Sequence, residues 1–544
     1  MAPMGRLFLL VLILGCAAYG QHQHETAKTN RTSLLPGLGR HHHPISTRSA
    51  DAQKFFDEGL TLIYAFNHEE AIRSFERAAA LDPSAAMPYW GIALALGPNI
   101  NLDVDPAGEK RAYAAAKKAL AMRDKAAENE RAYIDALAKR YSIDPKADLK
   151  KLAMDYKDAM GELVKRYPDD LDAATLYAEA MMDLRPWQLW TADGKPAEGT
   201  EEIVRVLESV LKRDPQHIGT NHYYIHAVEA SRTPERALAS AARLPGLVPQ
   251  AGHLVHMPAH IYIQTGDYES AARSNEQAAE VDRNYIRKTG VSGVYPLMYY
   301  SHNLHFLAAA RTAQGRFEDA RRAAAQLVAN VAPAVKEMPM LEGFLPTPLF
   351  VLLRFNRWAD ILKLPAPDSK LALSTAVWHF GRGCAFAATG DVKNAASERA
   401  SMVEARKQIP PDIAFNLNSA ENVFRVADAV LSARIAAARG DTAGSIENWR
   451  KAVEAQDALA YDEPPGWYYP VRESLGAALL KSGRAVEAEA VFREDLTRNA
   501  RSGRSLFGLL ESLKAQKKSS DAQWVERQFG EAWKGAPALR VGDL

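Results

Sequence analysis

Eight of the fifteen histidines fall in one stretch of the chain: His217, His222, His226, His253, His256, His260, His302 and His305. Imidazole is the commonest protein ligand for transition metals. His222 and His226 are four residues apart, as are His256 and His260, so each pair lies on one helical face and can grip a single ion. His253 and His256 are three apart, as are His302 and His305, which also puts each pair on one face. Glu229, one turn beyond His226, is the carboxylate placed to act as a further ligand or as a general base.

Imidazoles with one carboxylate suit copper, zinc, iron or nickel and disfavour calcium and magnesium. Thiolate ligation is excluded from the interior, because Cys16 and Cys384 are the only cysteines and Cys16 lies in an N-terminal leader. Eight imidazoles exceed what one tetrahedral ion needs, so the count fits two ions, or one ion with outer histidines that orient the ligands. Two other readings compete with metal: an anionic or aromatic ligand held by the histidines, and a purely structural network.

These residues need a scaffold that repeats. From Ala52 onward one amphipathic helix follows another with almost no alternation of the β type. In the first unit Phe55, Gly59 and Leu62 share a helix face, Ala71, Phe75 and Ala78 share the next, and Pro83 closes the unit. The same turn chemistry returns at 266–271 (GDYESA), 315–320 (GRFEDA), Gly390-Asp391, Gly440-Asp441 and Gly483-Arg484. Near the C-terminus Leu475, Gly476, Leu479, Ala488 and Phe492 repeat the large-small pattern. This spacing resembles the tetratricopeptide repeat, a helix-turn-helix of about 34 residues. The resemblance implies an all-α superhelical solenoid; such scaffolds mostly bind partners, so it implies no reaction.

Aligned by this period, units begin at Ile218, Gly252 and Ser301. His222 and His226 then hold the fifth and ninth places of a first helix, and His256 and His260 the same places one unit later. His253 and His302 share the second place, His305 takes the fifth, and His217 ends the preceding unit. Core places go to Tyr224, Ile225, Val228, Val255, Ala259, Tyr262, Leu304, Leu307 and Ala308. In the tetratricopeptide fold the other stripe lines the concave groove, so the resemblance puts the histidines there.

Two insertions interrupt the period. Residues 185–199 carry Trp187 and Trp190, and residues 287–300 carry Tyr295, Tyr299 and Tyr300. Long loops in compact arrays are often functional, so both are candidate walls of the histidine site. His217, Tyr223, Tyr262, Tyr300, Trp187 and Trp190 form the expected surroundings. The turn Gly97-Pro98-Asn99-Ile100-Asn101 reads as a helix end, His68 as a solvent-facing turn residue, and His379 as structural. No nucleophile elbow, Walker loop, dinucleotide fingerprint or HExxH is present, so the sequence assigns no catalytic residue.

With 47% apolar and 24% charged residues the chain has the composition of a folded globular protein. Its net charge of +1 and lack of a basic stripe argue against nucleic-acid binding. Arg6, the apolar run Leu7–Leu14 and the small residues to Gly20 resemble an export signal too short to span a membrane. Two processing routes stay open: lipidation at Cys16 within Ile13-Leu14-Gly15-Cys16, or cleavage after Ala18-Tyr19-Gly20 to release a periplasmic or outer-surface protein. The expected layout is a signal at 1–20, a disordered His-containing tether at 21–50, N-terminal repeats at 52–216, central histidine repeats at 217–334 and C-terminal repeats at 335–535. The tether contains His22, His24 and His41-His42-His43, read as a flexible linker or an auxiliary metal-gathering tail. The segments YWGIALALGPNIN, RPWQLWTADGKP, NHYYIHAVEAS and HLVHMPAHIY are similar to exported bacterial tetratricopeptide proteins. The leading expectation is a groove holding one or two ions of copper, zinc or iron, with a small molecule or peptide as a further ligand. The alternative is a metal-free scaffold for a protein or peptide partner.

Overall fold

The computed structural model describes residues 33–544. The export segment, Cys16, His22 and His24 lie outside the described residues. The chain divides into two compact units: the first runs to Ile261 and includes Gln277–Pro296, the second comprises Tyr262–Glu276 and Leu297–Leu544. This differs from the expected division at 216/217 and 334/335. His217 to His260 belong to the first unit, whereas Tyr262, Tyr300, His302 and His305 belong to the second.

The first unit is built from α1 (Ala50–Tyr64), α2 (His68–Leu81), α3 (Met87–Ala95), α4 (Pro106–Met122), α5 (Glu128–Leu137), α6 (Leu149–Arg166), α7 (Leu171–Met182), α8 (Thr200–Arg213), α9 (Ile218–Val228), α10 (Leu238–Leu247) and α11 (Gly252–His256). Two helices, α12 (Pro258–Gln264) and α13 (Tyr268–Thr289), contribute to both units. The glycines expected at packing places are there for space. A Cβ on Gly59 of α1 would stand 2.5 Å from the Phe75 ring of α2, and one on Gly91 of α3 would stand 2.6 Å from it. Phe75 therefore seats between two bare backbones and is fully buried.

The second unit continues the pairing with α14 (Tyr300–Ala313), α15 (Phe317–Val331), α16 (Thr347–Arg354), α17 (Trp358–Lys363), α18 (Ala372–Ala388), α19 (Val392–Arg406), α20 (Ala420–Ala438), α21 (Thr442–Asp457), α22 (Val471–Lys481), α23 (Ala485–Arg498), α24 (Gly503–Ala515) and α25 (Ser519–Ala532). Phe492 of α23 repeats the device, wedged where Cβ atoms on Gly476 and Gly508 would lie 2.4 and 2.1 Å from its ring. Among the described residues the only strands are the two-residue pair Ala414–Phe415 and Asn418–Ser419. No described helix is long and apolar enough to cross a membrane.

The reading of residues 21–50 as a disordered tether fails from residue 33 onward. Leu38, His43 and Ile45 are buried. The Leu35 amide donates to Glu58 at 2.6 Å, and the Gln250 amide donates to the Gly37 carbonyl at 3.1 Å. Composition suggested disorder because the segment is polar, yet its partners lie far away in sequence.

One helix is shorter than the repeat period implies. The helix that starts at Gly252 breaks after His256, because Pro258 has no N–H to give to the Leu254 carbonyl. The chain resumes as α12, so His256 and His260 sit on either side of the break.

Candidate metal centre

Helix α9 presents His222 and His226 on successive turns, and its C-cap is Glu229. Helices α11 and α12 bring up His253, His256 and His260. All six side chains are buried. Glu229 holds two of the rings at once: Oε1 is 2.9 Å from His226 Nδ1, and Oε2 is 2.5 Å from His260 Nδ1. A carboxylate only accepts, so both Nδ1 atoms carry the proton and both Nε2 atoms carry a lone pair. His222 is fixed in the same way, its Nδ1 donating to the Tyr64 carbonyl at 2.7 Å.

The Nε2 atoms converge. His222 Nε2 lies 3.1 Å from His253 Nε2, and His256 Nε2 lies 2.7 Å from His260 Nε2. Ligand atoms of His222, His226 and His253 all fall within 4.8 Å of one another, as do those of His226, Glu229 and His260. Metal–nitrogen bonds of 2.0–2.1 Å in a tetrahedron give a nitrogen–nitrogen edge of about 3.3 Å. The observed spacing is near that edge. Nε2 of His226 is buried with no hydrogen-bond partner. Orphaned buried nitrogens of this kind are rare and call for an explanation such as an ion.

Burial holds His222 and His226 neutral, the state that ligates metal. It pushes the His226 imidazolium down to about 3. His222 is lowered well below the ordinary histidine range, first by burial and then by the neighbouring imidazole of His226.

Aromatic rings enclose the cluster. Phe66, in the turn between α1 and α2, stacks on His253 at 5.4 Å and on His226 at 6.0 Å, and meets His222 edge-on at 4.6 Å. Its φ of 53° is left-handed, a strained conformation for a bulky residue that the packing around it maintains. Trp187 has φ of 60° and meets His226 edge-on at 5.5 Å. Trp190 donates from Nε1 to the Ala227 carbonyl at 2.8 Å, which pins insertion 185–199 against α9. Tyr223 packs beside His222 at 5.3 Å.

Several expected positions change. His222, His226, His253, His256 and His260 are buried, and Phe66 and Trp187 of the same unit pack on the first three. His68 is not solvent-facing: its Nε2 accepts from Asn99 Nδ2 at 3.4 Å, and burial pushes its pKa down to about 4. The turn at 97–101 thus supports the wall behind Phe66. Insertion 287–300 contributes Tyr295, which donates to Asp282 at 2.9 Å, the carboxylate facing Gly252 at the start of α11.

In the second unit His302 packs against Phe306 and His305 against Phe344, each at 5.5 Å. Burial pushes His305 down to about 4. Tyr262 and Tyr300 belong to that unit as well. His379 is paired with Glu398 at 2.6 Å, as a structural residue would be. His217 departs from the cluster: its neighbours are His41 and Asp172. Phe66, Tyr64 and Asp172 were missed as site residues, and His41 and His43 were read only as part of a linker or an auxiliary metal-gathering tail. The triple histidine was the available signal; nothing local marks the others.

Residues 255–285 match the tetratricopeptide repeat family, so this stretch carries such a repeat, and the described residues fold almost wholly as α-helices. Among solved structures, a tetratricopeptide repeat protein from Parabacteroides merdae is 13% identical, with a TM-score of 0.32, over 61% of this chain and 93% of that one. The human IFIT1 dimer with m7Gppp-AAAA is 13% identical, with a TM-score of 0.33, over 90% and 92%. Yeast Tom70 is 10% identical, with a TM-score of 0.30, over 88% and 90%. Among curated proteins, none matches this chain.

Proposed function

We propose that the first unit binds a transition-metal ion through the Nε2 atoms of His222, His226 and His253, with His256 and His260 completing the set. The observation that carries this reading is Glu229, whose two oxygens fix the protons of His226 and His260 on Nδ1. This is the outer carboxylate–histidine arrangement that orients imidazole ligands and raises their basicity. Glu229 serves as a positioning residue here. Neutral buried imidazoles favour zinc, copper or iron. When bound, such an ion supplies Lewis acidity or electron transfer according to its identity.

The test is elemental analysis of the purified chain beside a His256→Ala/His260→Ala variant checked by circular dichroism. Bound zinc, copper or iron that disappears from the folded variant supports the reading. A wild type that stays empty after incubation with each ion overturns it.

The repeat at 255–285 favours a second reading, a scaffold that binds a protein or peptide. That role would use surfaces other than the enclosed histidine cluster, and a chelator would leave it unchanged. The N-terminal run supports a further proposal, export with processing at or near Cys16, which mass measurement of the mature chain tests.

A further inference from the structure

Residues 33–49 carry His41 and His43 to the start of α7 and α9, where they surround Asp172. Oδ2 of Asp172 lies 2.8 Å from His43 Nδ1, and Oδ1 accepts from the Tyr64 hydroxyl at 2.5 Å. The same Oδ1 is 3.0 Å from His41 Nε2 and 3.2 Å from His217 Nε2. Neither nitrogen is aligned for a hydrogen bond, and both are buried without a hydrogen-bond partner. Two nitrogens and an oxygen thus lie within 4.8 Å of one another.

The Thr220 amide donates to His217 Nδ1 at 3.2 Å, which caps α9, and the Thr220 hydroxyl lies 3.0 Å from the same nitrogen. Nε2 is thereby the His217 nitrogen left toward Asp172, 3.2 Å from Oδ1.

We propose that His41 Nε2, His217 Nε2 and Asp172 Oδ1 form a second cation site, separate from the five-histidine cluster and independent of it. Two imidazoles and one carboxylate select a zinc-class divalent ion over calcium or magnesium. The 3.0 and 3.2 Å separations are close to the tetrahedral edge of about 3.3 Å. A cavity of about 1240 Å³ is bordered by His41, Asp170, Asp172 and His217. His43 and Tyr64 position the carboxylate.

The experiment uses the full chain stripped with EDTA, titrated with zinc alone, and counted by elemental mass spectrometry. The His41→Ala/His217→Ala variant is expected to bind one ion fewer than wild type with unchanged helicity. His256→Ala/His260→Ala is expected to keep that ion, so failure of the first centre and failure of this one read separately. Equal zinc content in wild type and the His41→Ala/His217→Ala variant overturns the proposal. Should that variant not fold, the conservative pair His41→Gln/His217→Gln is titrated in its place. It is expected to bind one ion fewer than wild type; equal zinc content would leave a cluster held by protons and overturn the site.

Discussion

His222 Nδ1 donates to the carbonyl of Tyr64 at 2.7 Å, although the two residues are 158 positions apart. The other end of Tyr64 donates to Asp172 at 2.5 Å. One residue therefore serves the five-histidine cluster with its backbone and the Asp172 site with its side chain. The two functions separate cleanly: Tyr64→Phe keeps the carbonyl and removes the phenol. Zinc affinity of the Asp172 site is expected to fall, and that of the five-histidine cluster to hold, in a titration that resolves the two. Equal losses at both would show that the phenol acts by general packing.

Glu229→Gln replaces an acceptor of two N–H groups with an amide that has one carbonyl oxygen. Either His226 or His260 loses its Nδ1 partner. Outer-carboxylate losses of this type weaken metal binding about 10–100-fold. Competition with a chromophoric chelator measures the change, and circular dichroism should report intact helices.

Phe66 covers three imidazoles from a left-handed turn. Phe66→Asn keeps a residue that tolerates this backbone and removes the ring. Transfer of bound zinc to a chelator is expected to speed up by more than the equilibrium affinity falls. Stopped-flow transfer rates check this; an unchanged rate would mean that the ring does not guard the exit.

His68 and His305 are each pushed down to about 4 by burial, from the ordinary histidine value of 6.5. Each is neutral when folded and takes up a proton more readily when unfolded. Their contribution is fully present above pH 6.5 and is lost as the pH falls toward 4. Each adds a slope of about 1.4 kcal/mol per pH unit in that window. His41 and His43 run the other way, since Asp172 raises them against the effect of burial. Their contribution is complete below the unfolded value and is lost as the pH rises through the raised one. Urea denaturation of the metal-free chain is expected to show falling stability from pH 6.5 to 4, and less steep acid sensitivity in His305→Phe.

Gly59→Ala adds a Cβ 2.5 Å from the Phe75 ring. The ring cannot retreat, because Gly91 already bounds its other side at 2.6 Å. Overpacking of this kind costs about 1–3 kcal/mol. Chemical denaturation of the variant measures it, and an unchanged midpoint would show that the helix pair can open without penalty.

The helix pairing was legible because its signals are local: Phe75 between glycines, Gly-Asp turns, apolar residues at helical spacing. The five-histidine cluster was legible for the same reason, through His222 with His226 and His256 with His260. Its enclosure was not. Tyr64 and Phe66 reach His222 from α1 and the turn after it, and no periodicity relates those segments. The Asp172 site was hidden more deeply. His41 and His43 occur in a polar segment whose composition suggests a tether, and His43 meets its carboxylate 129 residues later.

That separation sets a clock on synthesis. A chain made at about 5–20 residues per second releases His43 on the order of ten seconds before Asp172 exists to hold it. Until then Asp57, Glu58, Asp82 and Glu130 can hold the backbone of residues 33–49 through Leu35, His43, Ser46 and Arg48, but the His43 ring lacks its partner. The backbone of the segment can therefore settle before its imidazoles do.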